Sequence, residues 1–184
     1  MKKNLLNNIS KTVSEHGASI PALSLFLKTL IMVFLIVLTS VSLNAQGIIE
    51  LKSYLEKTKT SPDPVLVSKA KHLESLVTEL QPTVYLSNSI VTGNTKAKCA
   101  EVKASAIDQL SSDNSLFNDI ELITIRLESP ADMGFVLDLS KLNGFTKLKY
   151  IYFLCEFDGD AKELQKLFIP TAGITVLYMV SIPS

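Results

Sequence analysis

Few side chains in this sequence stand where chemistry would need them. Beyond residue 45 a single histidine remains, His72, between Lys71 and Leu73, together with two cysteines, Cys99 and Cys155. A thiolate–imidazole pair requires these to meet in the fold, and their spacing gives no reason why they should. No serine sits in a nucleophile elbow, and neither zinc-ligand spacing nor a glycine-rich phosphate loop is present. Asp158-Gly159-Asp160 offers two carboxylates and a turn, but the glutamate that would complete a calcium loop is missing, so it reads as a turn leading into a helix cap. Asp113-Asn114 and Asn118-Asp119 read as a solvated loop, and no two carboxylates are singled out as a glycosidase pair. The expectation is a non-enzymatic protein with no metal and no cofactor; the alternative is a small exported hydrolase using carboxylates. The residues better suited to recognition are Arg126, Tyr150, Tyr152 and Tyr178, since such side chains combine large contact area with a polar tip. They matter only if one surface gathers them.

The elements that would do so follow from periodicity. Gly47 to Lys57 places Ile48, Leu51 and Leu55 on one helical side. Asp63-Pro64 then supplies an N-cap and a first-turn proline for a second helix that keeps its period through Leu66, Ala70, Leu73, Val77 and Leu80 and stops before Pro82. Thr83 to Leu86 reads as a short strand, Ser87 to Asn94 as turn chemistry, and Lys96 to Leu110 as a third helix aligning Cys99, Val102, Ala106, Ile107 and Leu110. From there strands alternate with crossovers: Glu121 to Leu127, Lys149 to Phe153 and Thr175 to Val180 are rich in β-branched and aromatic residues. Leu139, Leu142, Phe145 and Leu148 recur every third residue, as in a tight helical return, and Asp160 with Glu163 marks the next helix start. Strands joined by such connections run parallel.

Three stretches repeat one apolar template at an interval of 26 residues: Leu122, Ile125, Leu127; Leu148, Ile151, Phe153; Ile174, Leu177, Met179. Over residues 120–184 this resembles the strand signature of leucine-rich repeats, although Pro130, Glu156 and Ile182 stand at the family's asparagine position, so its amide ladder is lacking. The resemblance implies a stacked array of strands and return segments; the alternative is a plain α/β domain whose sheet is covered by helices. In 26-residue register, Arg126, Tyr152 and Tyr178 form one row beside Thr124, Tyr150 and Val176, while Ile125, Leu127, Ile151, Phe153, Leu177 and Met179 point into the core. An open face of this kind would bind; a face beneath helices would be core.

The amino end carries Lys2, Lys3, Lys11 and Lys28, then the 15-residue apolar run Thr29 to Leu43, then Asn44-Ala45-Gln46. This order resembles a secretory signal of the Bacteroidetes type, cleaved between Ala45 and Gln46, ahead of a single domain over 46–184 with a mainly helical part at 46–119 and strand–crossover units at 120–184. The alternative is an uncleaved anchor over residues 23–43, giving a membrane-tethered periplasmic structural protein. Past residue 45 the chain keeps 14 of 18 basic and 17 of 18 acidic side chains, a balance that argues against nucleic acid as a partner. In an oxidising compartment Cys99 and Cys155 become a candidate disulfide worth on the order of 4 kcal/mol, or else two buried thiols. The reading as a whole is an exported binding protein, periplasmic or extracellular, taking a protein or glycan ligand on an open sheet face, with no stable membrane insertion after cleavage.

Overall fold

The computed structural model describes residues 47–183. The signal reading, its cut at Ala45–Gln46 and the anchor alternative over 23–43 lie outside them. The chain is mixed α/β. After a two-residue strand, β1 (Ile49–Glu50), come α1 (Leu51–Lys59) and α2 (Pro64–Thr78). Asp63 accepts the Val65 amide at 2.8 Å and Pro64 opens α2, as the sequence predicts. Then follow β2 (Thr83–Ser87), β3 (Ile90–Thr92), β4 (Cys99–Lys103), β5 (Leu122–Leu127), β6 (Leu137–Asp138), β7 (Tyr150–Cys155), α3 (Ala161–Leu164), β8 (Phe168–Ile169) and β9 (Thr175–Val180), with short 3-10 turns between.

Seven strands form one sheet in the order β1-β9-β7-β5-β4-β2-β3, parallel throughout except for β3. β3 closes a hairpin on β2 through Asn88 and Ser89, both at positive φ, the geometry of the tightest hairpin turns. Just past β3, Gly93 lies at φ +152, where a Cβ would come within 2.8 Å of the Val84 side chain. The part expected to be mainly helical therefore contributes four strands, β1 to β4. The helix expected over Lys96 to Leu110 is β4 followed by a 3-10 segment over Ala104–Ser111. A five-residue run satisfies either period, and pairing between β2 and β5 selects the strand.

Two layers of core result. On one side of the sheet Val84, Leu86, Ala100, Val102, Ile123, Ile125, Leu127, Ile151, Phe153 and Cys155 meet the return segments, which add Leu110, Phe117, Leu137, Leu139, Phe145, Leu164 and Phe168. Here β6 and β8 pair as a small second sheet, and Phe117 stacks on Phe145 at 4.5 Å. On the other side Leu51 of α1 and Leu73 and Leu76 of α2 pack on Cys99, Leu122, Tyr150, Tyr152 and Leu177.

The register corrects the 26-residue template. Leu122 pairs with Tyr150, and Tyr150 with Thr175, so the steps are 28 and 25 residues, and Leu148 and Ile174 precede their strands. An odd step inverts the alternation of β9. Leu177 and Met179 consequently lie on the helix side, and Tyr178 packs against the opposite core. Ile125, Leu127, Ile151 and Phe153 point into the return-side core as expected.

Candidate functional site

The helix-side face carries nearly all the polar chemistry. Along it the rows are Leu122, Tyr150, Thr175; then Thr124, Tyr152, Leu177; then Arg126, Leu154, Met179. Of the four residues expected to form one binding surface, Arg126, Tyr150 and Tyr152 share this face and Tyr178 does not. The two shared tyrosines are not open rings either. Both are only 4% exposed beneath α1 and α2, and burial pushes each phenol up to about 12.

The helices cover the face incompletely. The last turn of α2 lies against Cys99 at the start of β4, and towards the carboxyl ends of the strands a groove of about 400 Å³ remains beside it. Its floor is Thr124, Tyr152, Leu154 and Met179, its apolar wall Leu76, Val77 and Leu80, and its charged rim Glu79, Glu101 and Arg126, with half-exposed Tyr85 at one end. The Arg126 Nη1 donates to Glu156 at 2.6 Å. Its Nε lies 3.3 Å from Glu101 but is not aligned for a hydrogen bond and has no other partner among the described residues.

At the amino ends of the strands a second cluster forms. Lys98, Glu121 and Lys149 stand just ahead of β4, β5 and β7 and stack in register, joined by Glu121 N–H donating to Lys98 at 2.8 Å and Lys149 N–H to Glu121 at 3.0 Å. The result is a ladder of alternating charge, which His72 of α2 joins from above. Glu121 receives Lys149 Nζ at 2.7 Å and contacts His72 Nε2 at 2.9 Å, with Lys98 Nζ at 3.6 Å. Burial to 8% exposure alone would raise its carboxyl, but the hydrogen bonds from Lys149 and His72 outweigh burial and hold it at about 2. Next to this cluster lies a hollow of about 430 Å³ between α1, α2 and the starts of β7 and β9. Sequence reading singled out His72 but not its partners. The available signal was a charged residue immediately before each of three apolar runs.

Cys99 and Cys155 are both free and buried. They lie on opposite faces of the sheet with β5 between their strands, which sets them about 9 Å apart in the pairing direction alone, beyond the reach of a disulfide. Burial raises both thiols to about 11, and the Cys99 thiol donates to the Leu76 carbonyl at 3.5 Å rather than engaging His72. Asp160 caps α3 by accepting the Lys162 amide, the bland role expected of it, and no group of acidic, histidine or cysteine side chains suited to a metal ion occurs among the described residues. Among the same residues no helix is long and apolar enough to cross a membrane. Compared with known proteins, the chain matches no family model, no curated protein and no solved structure.

Proposed function

We propose that this is an exported, non-enzymatic binding protein that takes a polypeptide segment in the groove at the carboxyl ends of the strands. The observation that carries the reading is the uncovered half of the helix-side face, an apolar floor with a charged rim. That is the anatomy of a protein-binding patch, a dry centre bordered by polar groups. Tyr85 and Arg126 are residue types that contribute most at such centres, and Met179 is of a type enriched there. A glycan is less well served, because Tyr85 is the one half-exposed aromatic ring in the groove. The exported setting rests on residues 1–46 as a sequence, Lys2 to Gln46 in signal order.

Selection of displayed peptides on the full-length chain tests the binding reading. Enriched peptides should lose binding to Thr124→Arg, which fills the groove floor, and to Tyr85→Ala, while both variants keep the parent melting temperature. Failure to enrich any peptide, or binding indifferent to both substitutions, contradicts it. A glycan-array signal lost in the same variants would replace polypeptide by sugar. Terminal sequencing of the protein expressed in a bacterial host tests the setting, with Gln46 expected as the first residue and an intact amino terminus counting against cleavage.

A further inference from the structure

We infer that the hollow at the amino ends of β7 and β9 is a second ligand site, separate from the groove, for a small organic oxyanion with an apolar ring. Its lining presents Lys69, Lys149 and His72 and contains no carboxylate. Glu121, the acid bound to two of these residues, is 8% exposed and already engaged by His72, Lys149 and Lys98, so it offers a cationic ligand little. The ammonium of Lys69 has no ion-pair partner among the described residues, and Lys149, about half exposed, retains donors beyond the one given to Glu121. Tyr150, on the floor, forms no hydrogen bond to another described residue through its hydroxyl, although its ring is buried.

Donors thus outnumber acceptors, the charge facing the hollow is positive, and the complement is a group with several acceptor oxygens and negative charge. The apolar part of the wall is the Tyr54 and Tyr150 rings and Leu66, with Ser68, Gly173 and Thr175 completing the lining. At about 430 Å³ the space exceeds what a bare inorganic anion fills and falls within the range of small-molecule sites, so the anion carries a hydrocarbon body. The ring lies against Tyr54, Tyr150 and Leu66, and the oxyanion reaches Lys69 and Lys149.

Titration of the full-length protein with benzoate, phenyl phosphate and the neutral isostere benzamide, followed by two-dimensional NMR, tests the inference. Either anion should shift resonances of Tyr54, Ser68, Lys69, His72, Lys149 and Tyr150 together, and benzamide should bind at least about tenfold more weakly, the loss expected when a charge-assisted hydrogen bond goes. Lys69→Gln should weaken the anion about tenfold with the fold unchanged, and Lys69→Gln with Lys149→Gln should weaken it further. Lys69→Gln alone decides the matter if the double variant does not fold, because Lys69 is exposed and pairs with no described residue. Absence of shifts, equal binding of benzamide, or shifts spread over other surface lysines and unchanged in Lys69→Gln overturns the inference. Because the probes and variants lie away from the groove, failure here leaves the peptide-binding reading standing.

Discussion

The two faces of the sheet are built from the same strands and do different work. On the return side the rows are aliphatic or aromatic apart from the buried Cys155 thiol, the turns supply matching apolar residues, and Phe153 meets Phe168 with ring centres 6.0 Å apart. On the helix side tyrosines, a thiol, a buried carboxylate and an arginine appear, and α1 with α2 seals only the middle. A face closed by the chain's own connections becomes core along its whole length, whereas a face closed by two helices leaves a hollow at each end of the strands. The groove and the hollow described above both lie on the second face.

The contrast can be broken or sharpened by substitution. The largest effect should come from the return side: Phe153→Ala, at a fully buried position, should cost about 3–5 kcal/mol in denaturant unfolding. A loss below about 1 kcal/mol would mean that this face is not the continuous core described. Next is Glu121→Gln. Because the folded carboxyl titrates at about 2 against an ordinary 4.5, its stabilisation is present above pH 4.5 and fades as pH falls towards 2. By the size of the shift it amounts to at most about 3 kcal/mol at neutral pH, less the screening that solvent gives the half-exposed Lys149 and His72, and the gap between parent and variant should close across that acid window. A gap independent of pH would deny the ladder its role.

The buried thiols and phenols act at the other end of the scale. Their ionisation is pushed up in the folded state, so stability should begin to fall as pH rises above 9 for Cys99 and Cys155 and above 10 for Tyr150 and Tyr152. Alkylation under denaturing, non-reducing conditions should modify both cysteines, and modification of neither would restore the disulfide. The smallest effect belongs to Asp63→Ala, which removes the α2 cap and should cost about 1 kcal/mol in the same unfolding measurement.

Legibility in the sequence followed how local the causes were. The α2 cap at Asp63 and the strand Thr175–Val180 are set by neighbouring residues and were readable from them. The alternation of β5 and most of β7 was readable as well. The face of Tyr178 was not, because it depends on a return segment whose length makes the step from Tyr150 to Thr175 odd, and a repeat of apolar types tolerates that slip without visible change. The Glu121 cluster joins residues 28 and 49 positions apart, a distance at which only the fold decides contact. β4 was hidden for a related reason, since its partners and not its own composition make it a strand.

Register determines which residues face the groove, so the most direct test is the contact between β7 and β9. In a nuclear Overhauser spectrum the Tyr152 ring should show cross-peaks to the Leu177 methyl groups, its partner across the ladder, and none to the Tyr178 ring. Cross-peaks between the Tyr152 and Tyr178 rings in place of those to Leu177 would restore the 26-residue register and contradict the two-faced sheet.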